Sequence, residues 1–195
     1  HEMDMVMQTV DLCDTLTVSL HSGSDIQMTC TGPDSKPLPL ACDDSNIAVR
    51  CTRAFFEHCG FSALPCSVVI HLVKRIPMMA GLGGGSADGA AVLAALNHLT
   101  QSGLSLEQLE QIAVGCGADI PFCLRGGTQR AQGIGEDFSP LSPMPDCPIL
   151  IIKPRFGIST KDAFARSDST AFSHAHRFYF RSVQSYSCLV CLIKK

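Results

Sequence analysis

The chain has 195 residues, of which 46% are hydrophobic and 17% charged, and its formal net charge is −3. That is enough apolar material for one α/β domain plus part of another, and a balance this close to neutral, with no basic cluster before the tail, argues against a nucleic-acid partner. No apolar run approaches the roughly 18 residues of a membrane span, and the first residues lack a basic segment followed by an apolar one, so the reading is a soluble, cytoplasmic protein with no membrane partner.

In chain order, Thr15-Leu-Thr-Val-Ser-Leu20 and Asp25-Ile-Gln-Met-Thr29 alternate polar and apolar residues around His21-Ser-Gly-Ser24, which predicts a hairpin. The Pro/Asp/Ser stretch 32–45 reads as a loop. Ser45 is placed to cap a helix in which Ile47, Cys51, Ala54 and Phe55 share a face, with Gly60 closing it. Ser67-Val-Val-Ile-His-Leu-Val73 is short, β-branched and almost continuously apolar, the pattern of a buried strand. After a glycine-rich run, Val92, Ala95, Leu96 and Leu99 recur at helical spacing from Ser86 onward, and Gly103 ends that helix. Ser105-x-x-Gln108 spells a capping box for another helix, with Leu106, Leu109, Ile112 and Ala113 on one side. A strand pattern returns at Ile149-Leu-Ile-Ile152. Strands, then crossover helices, then strands predict an α+β or mixed α/β layered fold rather than a bundle.

Eleven cysteines are scattered along the chain, and Cys188-Leu-Val-Cys191 is their single CxxC pair. A lone pair without a second one, or a nearby His spacing, does not complete a zinc site, and Cys51 and Cys116 fall on apolar helical positions. Reduced core thiols are expected, and no metal-ligating set is read from the side chains.

The chemistry concentrates at Ile76-Pro77-Met78-Met79-Ala80-Gly81-Leu82-Gly83-Gly84-Gly85-Ser86-Ala87-Asp88. Glycine costs backbone entropy and supplies no packing, so a cluster of it suits a main chain that approaches something closely or adopts φ > 0. A helix that starts immediately afterwards aims unpaired N–H groups and a positive dipole end at the loop, so an anion such as phosphate is the natural occupant. The spelling excludes two common phosphate loops. No Lys-Ser or Lys-Thr follows the last glycine, and Gly81-x-Gly83 meets Ser86 where a dinucleotide fingerprint needs glycine. A flexible linker would be polar and free of flanking periodic elements. Ser86 reads equally as a contact to phosphate or metal and as a helix cap. Asp119, between Gly117-Ala118 and Ile120-Pro121, reads from spacing as a turn or capping residue, or as a carboxylate projecting into a cleft.

The run from Pro77 to Ala87 resembles the Pro-x-x-x-Gly-Leu-Gly-(Gly/Ser)-(Gly/Ser)-Ser-(Ser/Ala) motif of the GHMP kinases. Further blocks agree: His1-Glu2-Met3-Asp4 with Met7-Gln8, Lys74-Arg75-Ile76-Pro77, Asn97-His98-Leu99, Gly117-Ala118-Asp119-Ile120-Pro121 through Gly127, and Ala131-Gln132-Gly133-Ile134-Gly135-Glu136. The resemblance covers about residues 1 to 168. It implies a ribosomal protein S5 domain 2-like N-terminal domain over residues 1–145, the start of a ferredoxin-like C-terminal domain over 146–168, and a divergent basic and aromatic tail over 169–195.

The same resemblance implies ATP and Mg²⁺ as cofactors and a small-molecule alcohol as phosphate acceptor. Within the family, the spelling points to a cytidyl-bearing alcohol of non-mevalonate isoprenoid biosynthesis. Homoserine- or mevalonate-type substrates, or a non-catalytic nucleotide-binding fragment, are the alternatives. Asp119 then takes the catalytic role, accepting or orienting the hydroxyl proton of the acceptor. Pro77, Gly81, Leu82, Gly83, Gly84, Gly85 and Ser86 hold the ATP phosphates, with Asn46 and Lys74 near the nucleotide. His1 contacts cytosine, Phe164 stacks on it, and Thr160 lies beside Phe164.

Departures from the pattern are equally specific. The family's opening strand carries Lys-x-Asn, whose Lys works beside the catalytic Asp, and an Asp-Gly-Tyr precedes the His that is residue 1 here. Neither is present, and neither is the family's third glycine/serine loop. A chain opening on His reads as a cut or incompletely recovered segment. Residues 169–195 contain no Asp or Glu, four basic residues (Arg177, Arg181, Lys194, Lys195) and both tyrosines, Tyr179 and Tyr186. That composition suits a divergent or frame-shifted end, with a basic-aromatic interaction segment as the other reading.

Overall fold

Strand β4 (Ser67–Val73) organises the first half of the molecule, because its alternate residues Val68, Ile70 and Leu72 are completely buried. In this computed structural model, which describes residues 3–133, 135, 137–146, 148–153 and 189–193, β4 lies between β2 (Thr15–His21) and β3 (Ile26–Thr31). β2 runs antiparallel to β4 and β3 parallel to it. The predicted hairpin is therefore corrected: β2 and β3 are not partners, and β4 is inserted between them. The most apolar strand takes the centre, where both of its edges are covered, and the two alternating strands take the flanks. A parallel neighbour needs a crossover, which helix α1 (Ile47–His58) provides between β3 and β4.

The α1 cap is Asn46 and not Ser45. The Asn46 side chain accepts from the Ala48 N–H at 2.9 Å, whereas the Ser45 hydroxyl donates to Asp43. Helix α2 (Gly84–Leu99) starts two residues before the predicted Ser86 and ends at Leu99, with Thr100 as C-cap, so Gly103 lies beyond it in the connection to α3. Leu99 is 43% exposed and does not join the buried face, which Val92, Leu93 and Leu96 form instead. Helix α3 (Leu106–Cys116) has the predicted capping box, with both the Ser105 and Gln108 bonds made. Leu109, Ile112 and Ala113 are buried as expected, and Leu106 is not. Helix α4 (Ile120–Arg125) follows after a three-residue link.

The four helices pack on one another and on the β2-β4-β3 sheet around a core containing Phe55, Ile70, Leu72, Leu93, Leu96 and Ile120. A second, antiparallel sheet has the order β6-β5-β1-β7, from β1 (Met3–Thr9), β5 (Thr128–Gly133), β6 (Asp137–Pro140) and β7 (Leu189–Ile193). α4 links the two halves: Ile120 belongs to the main core, and Phe122 packs with Met5, Met7 and Ala131. β7 falls inside the predicted divergent tail and pairs with β1, from Met5 opposite Ile193 to Thr9 opposite Leu189. The strand predicted at 149–152 does not form. Leu150 and Ile152 are 83% and 80% exposed, with no strand beside them among the described residues.

Among the described residues Cys13, Cys30, Cys42, Cys51, Cys59, Cys66 and Cys116 are free thiols, and Cys30, Cys51 and Cys116 are buried. Burial, reinforced by the neighbouring Cys116, pushes the Cys51 thiol far above its ordinary pKa. Among the described residues, no helix is long and apolar enough to cross a membrane.

Gly89 sits where α1, α2 and α4 converge. A Cβ there would lie 2.8 Å from Ile47 Cγ2, 3.0 Å from Cys51 Sγ and 3.4 Å from Ile120 Cδ1. Gly89→Ala should lower the thermal midpoint although Ala is the better helix former by about 1 kcal/mol, because overpacking costs about 1–3 kcal/mol. A melt at or above the parent midpoint would show that the three elements part freely.

Candidate active site

The register of β2 against β4 prepares the site. Thr15 pairs with Val73, so one step further along the ladder Asp14 meets Lys74. Asp14 Oδ2 accepts from Lys74 Nζ at 2.5 Å, and Asp14 Oδ1 accepts the backbone N–H of Arg75 at 2.5 Å and of Ile76 at 2.8 Å. Lys74 Nζ also donates to Asp88 Oδ2, one turn into α2, at 2.7 Å. The three side chains are each about 6% exposed or less, so two carboxylates share one ammonium out of water.

Burial would lower the Lys74 pKa, but Asp88 and Asp14 outweigh it and hold the ammonium above its ordinary value. Asp14 accepts from three donors. Asp88 accepts from Lys74 and faces Asp14, and burial above all pushes it up to about 7. The native state therefore keeps a proton on Asp88 that the unfolded chain releases. Stability from this group is full below about pH 4 and is lost as pH rises through about 7. Thermal midpoints measured from pH 5 to 8 should fall with rising pH more steeply for the parent than for Asp88→Asn. Parallel curves would place the titration elsewhere.

From Lys74 the chain enters the glycine run. Met79, Gly81 and Gly83 have φ of +53°, +67° and +63°, so the main chain is left-handed at three of five positions. Gly81 and Gly83 take that geometry without the steric penalty that Met79 bears. Leu82 packs toward Val10 and Ile76, which ties the loop to the fold beneath it. At Gly84 a side chain would collide with its surroundings, since a Cβ would lie 2.9 Å from Ile76 Cγ2 and 3.0 Å from Lys74 Nζ.

Gly83 is the N-cap of α2 and no side chain caps that end. The N–H groups of Gly84, Gly85 and Ser86 are thus the helix's unpaired first-turn donors, on the positive end of a sixteen-residue dipole. Ser86 occupies the third helical position and is buried, so the capping alternative does not hold. Its hydroxyl has no hydrogen-bond partner among the described residues. A loop with open space beside Gly81, ending on uncapped amides, has the shape and polarity that a phosphate group requires.

Asp119 precedes α4 in the N-cap position, with φ −86° and ψ −9°, yet its side chain caps nothing. The carboxylate is half-buried and has neither a hydrogen bond nor an ion pair among the described residues. Burial holds its pKa above the ordinary carboxylate range. The following residue, Ile120, reaches to 3.4 Å from the point a Gly89 Cβ would occupy, so the helix that Asp119 precedes packs against α2.

Asn46 is close to the same helix, since Ile47 Cδ1 approaches the Cβ position of Gly85 at 3.3 Å. Its amide is already committed, accepting from Ala48 and donating to the Ala41 carbonyl at 2.7 Å. Lys74, read from sequence as a nucleotide contact, lies beneath the loop in its ion cluster. Pro77 is half-buried at the loop entrance. His1, Thr160 and Phe164 lie outside the described residues. Asp14 and Asp88 were given no role by the sequence reading, and the register that brings Asp14 to Lys74 is the signal that finds it.

Among the described residues, no three His, Cys, Asp or Glu side chains are placed to hold a metal ion. Magnesium bound mainly through phosphate oxygens and water needs only one or two protein oxygens, so the Ser86 hydroxyl suits it without such a cage. A cavity of about 460 Å³, bounded by Asp14, Asp88, Ala91, Phe122 and Arg125, opens behind the ion cluster and is lined by neither the glycine run nor Asp119.

Residues 46–127 match the family model described as the GHMP kinases N terminal domain. Over 168 residues the chain is 36% identical to 4-diphosphocytidyl-2-C-methyl-D-erythritol kinase of Clostridium perfringens, covering 86% of this chain and 56% of that protein. Over residues 46–127 the chain is thus similar to the GHMP kinases. The identity rises to 44% over 166 residues with the same-named protein of Carboxydothermus hydrogenoformans, covering 85% of this chain and 54% of the relative. The chain spans about half the length of the curated relatives it matches.

Among solved GHMP kinase structures, that of 4-(cytidine 5'-diphospho)-2C-methyl-D-erythritol kinase superposes with a TM-score of 0.54 at 31% identity, covering 74% of this chain and 53% of that one. Homoserine kinase from Cytophaga hutchinsonii gives a TM-score of 0.56 at 17% identity, which establishes a shared fold. The mixed α+β architecture expected for a GHMP kinase N-terminal domain is the one observed.

Proposed function

We propose that this chain binds ATP at the glycine run 81–86 and serves the transfer of the γ-phosphoryl group to the 2-hydroxyl of 4-diphosphocytidyl-2-C-methyl-D-erythritol, a step of non-mevalonate isoprenoid biosynthesis. The observation that carries the reading is the left-handed glycine loop running into an uncapped helix, together with an unpartnered, half-buried Asp119 at the start of a helix that packs on α2. Phosphoryl transfer asks for alignment and charge neutralisation more than covalent help, and these parts supply both.

In this reading the amides of Gly84, Gly85 and Ser86 bind the phosphates, and the helix dipole favours their charge. Magnesium, held by the phosphates and the Ser86 hydroxyl, supplies further neutralisation of charge. Asp119, kept basic by burial and without a competing partner, takes the proton of the acceptor hydroxyl or orients that hydroxyl for attack. The substrate assignment is supported by the names of the relatives at 36–44% identity and by the resemblance of His1, Thr160 and Phe164 to cytidyl contacts.

The test is ADP release by this chain in the presence of ATP and magnesium, with the cytidyl alcohol, homoserine and mevalonate as separate acceptors. Release that depends on the cytidyl alcohol supports the proposal. Release with another acceptor alone overturns the substrate. ATP binding without release for any acceptor overturns the catalytic reading in favour of a nucleotide-binding role.

A further inference from the structure

We propose that Asp14 is a positioning residue for the phosphate loop: its carboxylate fixes the entrance of the glycine run through two backbone amides and, through Lys74, fixes the first turns of α2. The inference rests on the nucleotide reading above for what the loop binds, and on geometry alone for what Asp14 does to the loop. A loop that is left-handed at 79, 81 and 83 has few regular main-chain bonds to define its path. Apart from the Leu82 side chain on Val10 and Ile76, its order comes from its ends.

At the entrance, Asp14 Oδ1 receives the consecutive N–H groups of Arg75 and Ile76, the last two residues before Pro77. No strand partner is available for those amides, because the β4 ladder stops at Val73. At the exit, Asp88 is one turn past Gly84, and Lys74 Nζ bridges Asp14 Oδ2 to Asp88 Oδ2 at 2.5 and 2.7 Å. Both ends of the loop therefore meet at one buried carboxylate, and Gly84 is held close enough to Lys74 that no side chain fits between them.

Chemistry explains why the residue is Asp. One oxygen must accept two amides while the other faces an ammonium, which takes an ionised carboxylate with a short side chain. Asn cannot satisfy both sides, since its NH₂ group would face either Lys74 or the two amide donors. Glu keeps the charge but moves the oxygens by one methylene.

Amide hydrogen exchange over residues 75–85 and ATP–magnesium titration test this on the intact chain. Asn97→Ala is the comparison variant. It removes the two 2.9 Å bonds from the Asn97 side chain to Leu104, at the far end of α2, and lowers stability without touching the loop. Asp14→Asn should speed exchange over 75–85 by about tenfold or more and weaken ATP binding by a similar factor. Asn97→Ala should do neither at an equal loss of thermal midpoint.

If loop exchange in Asp14→Asn matches that in Asn97→Ala, Asp14 is merely a stabilising residue and the proposal fails. If Asp14→Asn does not fold, Asp14→Glu decides: faster loop exchange supports the proposal, and unchanged exchange overturns it. If the parent chain binds no ATP, the nucleotide reading is what fails, and the exchange result still decides the role of Asp14.

Discussion

Under the proposed function, replacing Asp119 with Asn is expected to lower turnover of the cytidyl alcohol by about 100- to 10,000-fold, the range that a positioned proton acceptor contributes. The substitution is nearly isosteric and disturbs little else, because the Asp119 carboxylate makes no hydrogen bond or ion pair among the described residues. ATP affinity should therefore change little, so that the loss falls on kcat and not on nucleotide binding. A pH profile adds a second reading. Since burial raises the Asp119 pKa, the acid limb of kcat/KM should fall above the ordinary carboxylate value near 4. Unchanged turnover in Asp119→Asn would remove Asp119 from the chemistry and leave it as a residue of the α3–α4 link.

Lys74→Met is the substitution with the largest expected effect on stability. It removes the ammonium between Asp14 and Asp88 and leaves two facing carboxylates inside the protein. Breaking a buried ion pair from one side costs about 3–5 kcal/mol, a large part of the 5–15 kcal/mol that holds a typical domain together. For a chain of this length, that is a fall of about ten degrees in the thermal midpoint. Adding Asp88→Asn to Lys74→Met should recover part of the loss, because one of the two stranded carboxyl groups is then gone. Such coupling distinguishes an ion cluster from a packing defect, which would leave the two effects additive. A Lys74→Met chain that melts with the parent and has lost only ATP affinity would return Lys74 to the nucleotide-contacting role read from the sequence.

What could be read from the sequence depended on how local the signal was. The glycine run, the α3 capping box and the Val92/Leu96 face announce themselves within a few residues, and each is found in place. The ion cluster was illegible for a definite reason. Pairing β2 with β3 as a hairpin hides the register in which Asp14 faces Lys74, and only β4 between the two strands reveals it. Strand β5, Thr-Gln-Arg-Ala-Gln-Gly, has a single buried apolar side chain, Ala131, and is a strand only because β1 and β6 pair with it. The opposite error occurred at 149–152, where an apolar run predicts a strand but hydrogen bonding to a neighbour is what makes one. Helix α4 has one local sign in the sequence, Pro121 in its first turn, where a missing N–H costs nothing.

The antiparallel partnership of β1 with β5 has a consequence for synthesis. Met3 pairs with Gly133 and Gln8 with Thr128, so β1 leaves the ribosome more than a hundred residues ahead of the strand that receives it. At about 5–20 residues per second, it waits roughly 6–25 s for that partner. During that interval Met5 and Met7, buried in the finished protein, have no sheet to join. The β2-β4-β3 sheet with α1 is complete on the nascent chain by Val73, long before β5 exists. The half of the molecule that presents the glycine loop can thus form first, and the half carrying β1 closes onto it through α4 at the end.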